Sequence, residues 1–179
     1  NNLPGHGTTA EDCNKYKFTD WLDYSKQEFA KLCSRSDKVF IIGCSMGGVI
    51  GLHLASIFPI NGIIIGGVVL KFKLFFQTNY LNTILCHIIK IREKKLTFTK
   101  DERKKITFYG YQSYPLIALN QFRKMNNFVK KTLRNVKSPT LIIHSESDKV
   151  SIKENVEIIK NNISSKNIGV LNIQHAHHN

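Results

Sequence analysis

A serine lies between glycines in the pentapeptide Gly43-Cys44-Ser45-Met46-Gly47, which satisfies the pattern G-x-S-x-G. A serine hydroxyl is too weakly acidic to attack an ester unaided, so it needs a histidine to take its proton and a carboxylate to orient that histidine. The glycines at 43 and 47 are expected to keep side chains out of a sharp turn. Short matches also arise by chance, so a tight turn with a capping serine is the alternative interpretation.

Candidates for both partners occur downstream of the serine. Asp148 follows an apolar run in "LIIHSESDKVSI", where Glu146 is a competing carboxylate nearer the run. The C-terminal stretch "NIQHAHHN" supplies three histidines, His175, His177 and His178. The chain order is therefore serine, acid, histidine.

Apolar runs typical of buried β-strands precede each of these groups. The predicted strands are "KVFIIG" (38–43), "NGIIIGGVV" (61–69), "PTLIIHS" (139–145) and "KNIGVLNI" (166–173), the first with the pattern of burial on both faces. An amphipathic helix is predicted at 19–35, with Thr19 or Asp20 as N-cap, and further helices are predicted at 46–58 and at 151–163. Alternating strands and helices predict a parallel α/β sheet, whose carboxyl-terminal edge would collect the serine, the acid and the histidines.

At these motifs the sequence resembles a known family, the α/β-hydrolase carboxylesterases and monoacylglycerol lipases, in which the triad also runs serine, acid, histidine. "GCSMGG" is similar to their nucleophile elbow, and "SPTLIIHSESDKVS" to the strand and turn that bear their catalytic aspartate. "NLPGHGTT" resembles the loop after their fourth strand, and "YPLIALNQFRKMNNFVKKTLRNVKSP" the helix that returns from their cap. The resemblance covers most of the chain and is weakest in the cap before about residue 110.

The resemblance implies roles for individual residues. Ser45 would be the nucleophile and Asp148 the acid, while His177 is the preferred base because family members commonly carry a small residue, here Ala176, before the histidine. His175 and His178 remain alternatives, since a one-residue slip at a strand end points the side chain elsewhere.

The resemblance also implies an oxyanion hole formed in part by the backbone amide of Met46. The second amide would come from a loop upstream of Asn1, and "PGHG" matches a different loop of the family. We therefore expect a partial chain whose N-terminal strands are missing.

The excess positive charge is confined to one segment. Residues 71–137 hold sixteen Lys and Arg against three acids, so this segment carries the whole net charge of +13. It shows helical patches at 78–91, 100–111 and 114–136 and no convincing buried strand. The predicted organisation is an incomplete α/β-hydrolase core (1–70 and 138–179) interrupted by a helical cap insertion (71–137).

The charges of the cap bear on possible partners, and the cysteines bear on cellular location. The basic residues of the cap are most simply a solvated face, with weak association with anionic membrane surfaces as the alternative, and no nucleic-acid-binding module is recognisable. Four cysteines without CxxC spacing and no signal-peptide pattern favour a cytoplasmic protein with reduced thiols. The oligomeric state is left open.

The sequence predicts a serine hydrolase that cleaves carboxylic esters, of the carboxylesterase or monoacylglycerol lipase type, through an acyl-enzyme intermediate. Its substrate would be a small ester or lipid, and the chemistry needs no metal or organic cofactor. Thioester hydrolysis, peptide hydrolysis and acyl transfer use the same three side chains and remain alternatives. A non-catalytic remnant that binds lipid or a partner is the alternative of a different class.

Overall fold

The computed structural model describes residues 2–94 and 110–178. The β-strands in this part of the chain are β1 (Phe40–Cys44), β2 (Gly62–Gly66), β3 (Ile91–Glu93), β4 (Ser113–Pro115), β5 (Thr140–Ser145) and β6 (Ile168–Ile173). The α-helices are α1 (Ala10–Cys13), α2 (Phe18–Cys33), α3 (Met46–Ala55), α4 (Asn82–Leu85), α5 (Leu116–Lys130) and α6 (Glu154–Asn162). A π-helical turn (Gln77–Leu81) precedes α4, and a 3₁₀ turn (Leu133–Asn135) follows α5.

Four strands form one parallel sheet in the order β1-β2-β5-β6. The register pairs Ile41 with Ile63 and Ile65 with Ile142, and these buried side chains form one face with α2, α3, α5 and α6 packed over it. Because the chain returns through a helix between β1 and β2 and between β5 and β6, the carboxyl ends of the strands share one edge. The predicted parallel α/β sheet is confirmed.

Strand β1 is buried on one face only, so the prediction of burial on both faces is wrong. Ile41 is 9% exposed, but its neighbours Phe40 and Ile42 are 64% and 80% exposed. The side chains of a strand alternate between its two faces, and α3 covers only the face of Ile41. An unbroken apolar run is therefore compatible with one open face.

Helix α2 begins at Phe18, before the predicted caps. The residue at the N-cap position is Lys17, whose backbone amide donates to the Asp20 carboxylate at 2.7 Å. Asp20 thus stabilises the first turn from inside the helix, where a carboxylate accepts from the otherwise unpaired amides.

The segment 71–137 contains more than helices. A short antiparallel ladder joins β3 to β4, pairing Arg92 with Tyr114, and three-residue strands are too short for hydrophobic periodicity to predict. The predicted helical patch at 100–111 lies mostly outside the described residues. Helix α5 contributes Met125 and Val129, both fully buried, to the same core as α2 and α3, so the C-terminal part of the segment packs as core.

No helix within residues 2–94 and 110–178 is long and apolar enough to cross a lipid bilayer.

Candidate active site

Ser45 lies in a strained turn between β1 and α3. Its backbone has φ 53° and ψ −119°, a conformation that L-residues rarely adopt, and its amide donates to the carbonyl of Gly66 at 2.9 Å. Such strain costs about 1–3 kcal/mol and persists only where the surrounding structure imposes it. Here the strand, the helix and the hydrogen bond to β2 hold the serine at the carboxyl-terminal edge of the sheet.

The turn is crowded at Gly43 and Gly48. A Cβ atom added at Gly43 would lie 2.6 Å from the carbonyl oxygen of Gly47, and one added at Gly48 would lie 2.6 Å from Cγ2 of Val68. At Gly47 an added Cβ meets nothing within 4 Å. The expectation that Gly43 keeps the turn clear is confirmed, whereas for Gly47 it is wrong, because the side chain at 47 would point into open space.

This difference predicts opposite effects for two alanine variants. Gly43→Ala should lower the free energy of unfolding by about 1–3 kcal/mol, because the clash is with backbone atoms that cannot rotate away. Gly47→Ala should be neutral or raise stability by up to about 1 kcal/mol, because alanine favours the helix at this position in the first turn of α3. Urea unfolding of both variants measures the difference, and equal destabilisation would show that the turn is not packed as described.

Three side chains from distant parts of the chain meet at this edge. The hydroxyl of Ser45 lies 2.8 Å from Nε2 of His178, and Nδ1 of the same ring lies 2.7 Å from Oδ2 of Asp148. The ring therefore bridges the hydroxyl and the carboxylate in the order that general-base activation needs.

The bridging ring belongs to His178, so the preference for His177 is corrected. The chain leaves β6 at Ile173 and passes through His175 in a left-handed conformation with φ 58°. This turn changes the direction of the following side chains and leaves His177 exposed, while the side chain of His178 is only 11% exposed. His178 was one of the alternatives left open by the sequence, and the turn at His175 could not be read from it.

The structure brings Asp148 rather than Glu146 to the histidine. The other carboxylate oxygen of Asp148, Oδ1, accepts from the amides of Val150 at 2.8 Å and Ser151 at 2.9 Å. Burial alone raises the pKa of the Asp148 carboxyl, but the hydrogen bonds from His178, Ser151 and Val150 outweigh it and hold this pKa below its ordinary value. The carboxylate is thus ionised at neutral pH and can orient the imidazole.

Gly67, directly after β2, leaves room for the bridge between histidine and aspartate. Its φ is 53°, and an added Cβ would lie 3.3 Å from Oδ2 of Asp148 and 3.4 Å from Nδ1 of His178. The motifs that predicted the three catalytic side chains did not point to Gly67. The signal was the Gly66-Gly67 pair at the end of a predicted strand, where a close backbone approach is a common reason for glycine.

Two further polar residues tie the loop that bears Asp148 to the segment after β2. The hydroxyl of Ser151 donates to the carbonyl of Val68 at 2.6 Å. Oδ1 of Asn155 accepts from the amides of Leu70 at 2.9 Å and Lys71 at 2.6 Å, and its Nδ2 donates to the Lys71 carbonyl at 3.1 Å. Asn155 is fully buried, and an asparagine on the buried face of a helix is the signal that could have found it.

A cavity of about 890 Å³ opens beside the nucleophile turn. Met46, the residue after the serine and the first of α3, lies in its wall. Much of the rest is apolar or aromatic and comes from α2, β4, the residues just before β4, and α5: Trp21, Tyr111, Tyr114, Pro115, Ala118, Leu119 and Phe122. Lys94 also lines the cavity, with Nζ 4.9 Å from the centre of the Tyr114 ring, and burial lowers the pKa of this lysine. The volume and the lining suit an apolar chain of an organic ligand.

The chain is similar to known proteins over most of its length. A family model described as serine aminopeptidase, S33, matches residues 2–179. The chain is 28% identical to the thermostable monoacylglycerol lipase of Bacillus sp. (strain H-257) over an alignment 192 positions long, which covers 98% of this chain and 69% of that protein.

Solved structures give the same fold. A structure from work on LipS and LipT, two metagenome-derived lipolytic enzymes, superposes with a TM-score of 0.82 at 25% identity. The match covers 98% of this chain and 71% of the chain in that structure. The monoacylglycerol lipase of Paleococcus ferrophilus superposes with a TM-score of 0.74 at 16% identity, covering 98% and 72% respectively. The sheet and its helices therefore form an α/β-hydrolase fold.

Proposed function

The chain belongs to the serine aminopeptidase S33 family and is a hydrolase of the lipase and esterase type, and we propose that it cleaves carboxylic esters through Ser45, His178 and Asp148. The observation that carries the proposal is the continuous hydrogen-bonded chain of 2.8 Å and 2.7 Å from the serine hydroxyl through the imidazole to the carboxylate. Medium-chain acyl esters and monoacylglycerols are the proposed substrates.

The proposed reaction has two halves. In the first, Oγ of Ser45 bonds to the carbonyl carbon of the ester while Nε2 of His178 takes its proton, and the alcohol then leaves with that proton. In the second, His178 takes a proton from a water molecule whose oxygen attacks the acyl carbon; the bond from that carbon to Oγ of Ser45 then breaks, His178 returns the proton to Oγ, and the carboxylic acid is released. Asp148 stabilises the imidazolium that forms in each half, and neither half requires a metal or an organic cofactor.

The amide of Met46 is the proposed donor to the developing oxyanion. Met46 is the first residue of α3, and the first amides of a helix have no partner within it. An amide directly after the nucleophile points at the tetrahedral oxygen in enzymes of this fold. One such donor contributes about 10²- to 10³-fold in turnover.

Peptide hydrolysis is the second candidate, because the matching family model is described as a serine aminopeptidase. A free α-ammonium group needs a carboxylate in its binding site. The described residues that line the cavity include Lys94 and His6 and no Asp or Glu, which favours neutral or anionic esters over substrates with a free amino terminus.

Labelling with a fluorophosphonate probe tests the proposal. The folded protein should be labelled at Ser45 and should hydrolyse p-nitrophenyl butyrate, and Ser45→Ala should do neither. A folded protein that is not labelled would instead be the non-catalytic remnant that the sequence left open. Faster turnover of an aminoacyl p-nitroanilide than of the ester would favour the peptidase.

We also propose that the enzyme associates with anionic membrane surfaces through its basic segment, residues 71–137. Sixteen Lys and Arg against three acids give this segment a positive field that falls off within about one Debye length of the protein. The apolar chains of the proposed substrates, medium-chain acyl esters and monoacylglycerols, partition into such surfaces.

A further inference from the structure

A lysine interrupts the apolar wall of the cavity beside the nucleophile turn. Lys94 follows β3 and lines this cavity of about 890 Å³ together with aromatic and aliphatic side chains. Its Nζ lies 4.9 Å from the centre of the Tyr114 ring, and burial lowers the pKa of the ammonium group. A cation in such a wall is costly unless a partner compensates for the water that it loses.

No carboxylate in the described part of the chain compensates the charge of Lys94. Within residues 2–94 and 110–178, all ion pairs are formed by other residues. The neighbouring acid, Glu93, is exposed and does not line the cavity. The ring of Tyr114 offers a cation–π contact, which is typically weaker than a hydrogen bond to a charged group. The ammonium group is therefore available to an anionic group of a ligand.

The backbone that carries Lys94 is held in place by two sets of hydrogen bonds. Its own amide donates to the carbonyl of Gln112 at 3.1 Å, which continues the ladder between β3 and β4. Asn14, directly after α1, joins this region to the core. Its Nδ2 donates to the carbonyl of Lys90 at 2.9 Å, and its Oδ1 accepts from the amide of Ala118 at 3.0 Å. A backbone that is already ordered lowers the entropy cost of binding a ligand at Lys94.

The basic groups in the wall fit a carboxylate better than a phosphate. Among the described residues that line the cavity, Lys94 is the only lysine or arginine. His6 also lines it, but its Nδ1 already donates to the carbonyl of Pro4 at 3.2 Å. A phosphate group carries up to about two charges and is typically bound by several basic groups or by an arginine fork. One ammonium group matches the single charge of a carboxylate.

We propose that Lys94 binds a carboxylate on the acyl chain of the substrate, so that the preferred esters are monoesters of α,ω-dicarboxylic acids of medium length. The proposal rests on the hydrolase function proposed above and names the substrate class of the same site. Met46 places one part of the cavity wall directly after the nucleophile, and Lys94 places a cation in the same wall. An acyl chain esterified to Ser45 would lie along the apolar lining with its carboxylate at Lys94.

Two matched substrates test the proposal on the parent protein. Mono-p-nitrophenyl suberate carries a carboxylate at the end of an eight-carbon acyl chain, and its methyl ester has nearly the same length without the charge. We expect kcat/KM for release of p-nitrophenolate to be at least as high for the acid as for the methyl ester, because the ion pair with Lys94 offsets the loss of water from the carboxylate. A parent protein that prefers the methyl ester would overturn the proposal.

Variants at position 94 give the second measurement. Lys94→Met removes the charge and should lower the ratio of kcat/KM for the acid to kcat/KM for the methyl ester by roughly 10- to 100-fold. Lys94→Arg keeps the charge and should keep most of this ratio. A lysine that only packs on Tyr114 would give an unchanged ratio in folded Lys94→Met, and this result would contradict the proposal. An equal loss in Lys94→Arg would contradict it too.

Lys38→Met is the matched control. It removes one lysine charge from an exposed position before β1, outside the cavity, and its ratio should equal that of the parent. An equal loss in Lys38→Met and Lys94→Met would show that the net charge of the protein attracts the acid, and the proposed ion pair in the cavity would be wrong.

Fluorophosphonate labelling separates failure of this proposal from failure of the proposed hydrolase function. A labelled protein that cleaves both esters and prefers the methyl ester would remain a hydrolase, and only the role of Lys94 would be wrong. A folded protein that is not labelled and cleaves neither ester would overturn both proposals. The comparison of the two substrates on the parent protein needs no variant, so it decides the matter even if Lys94→Met does not fold.

Discussion

Replacing His178 with alanine is expected to lower kcat/KM for p-nitrophenyl butyrate by roughly 10⁴-fold or more, because the serine loses the base that takes its proton. His177→Ala should leave kcat/KM close to that of the parent enzyme. The reason is geometric: within residues 2–94 and 110–178, only the ring of His178 lies within hydrogen-bonding distance of both Ser45, at 2.8 Å, and Asp148, at 2.7 Å.

The two variants control for each other. They remove the same side chain from neighbouring positions after β6, so a general disturbance of the C-terminal stretch would affect both. Thermal unfolding and the near-ultraviolet circular dichroism spectrum should show that both are folded. If His177→Ala were inactive and His178→Ala active, the base would be His177. If both variants were folded and inactive, hydrogen-bonding distance alone would not identify the base.

The sequence could predict the parts of the site that follow from local patterns. The nucleophile turn follows from a pentapeptide placed between an apolar run and a helix, and the parallel sheet follows from the alternation of such runs with helices. Both are local patterns with a direct physical cause. The choice among the three histidines depends on one backbone angle, the φ of 58° at His175, which no periodicity reports.

Tertiary contacts decide the features that the sequence did not predict. The tightest contact at Gly48 comes from Val68 in the segment after β2, and the space beside Gly67 matters because Asp148 and His178 lie there. The exposure of one face of β1 is also decided by tertiary contacts, because α3 packs only against the face of Ile41. An apolar run shows that a strand can be buried on both faces, but burial itself depends on what packs there.

In the cap, the sequence predicted the charge and the helical character but not which side of the helix is buried. The concentration of positive charge in residues 71–137 was visible in the sequence, as was the helical character around residue 80. The sequence did not show which side of that helix is buried. Its polar side packs against Asn120 and Leu116 on α5 rather than facing water. A periodic pattern gives the two sides of a helix, and the contacts decide which one is inside.

Asn155 provides the second large effect. We expect Asn155→Ala to lower the free energy of unfolding by about 3 kcal/mol, because the amides of Leu70 and Lys71 and the carbonyl of Lys71 would lose their partner in a buried site. Urea unfolding followed by far-ultraviolet circular dichroism measures the loss.

Asn162→Ala on the same helix is the control. Asn162 is exposed and its Nδ2 donates only to the carbonyl of Ile158, one turn earlier, at 2.8 Å. Its replacement should change the free energy of unfolding by less than about 0.5 kcal/mol, as is usual for exposed positions. Equal effects at the two positions would mean that the segment after β2 is held by other contacts.

The role of Asn155 extends from stability to the position of the acid. It holds the segment after β2 against the start of α6, and Ser151 ties the same segment, at Val68, to the loop that bears Asp148. A small displacement of a catalytic group can cost up to about 10²-fold in rate, so we expect kcat of folded Asn155→Ala to fall roughly tenfold at unchanged KM. A merely structural asparagine would lower the unfolding free energy and leave kcat of the folded enzyme as it is.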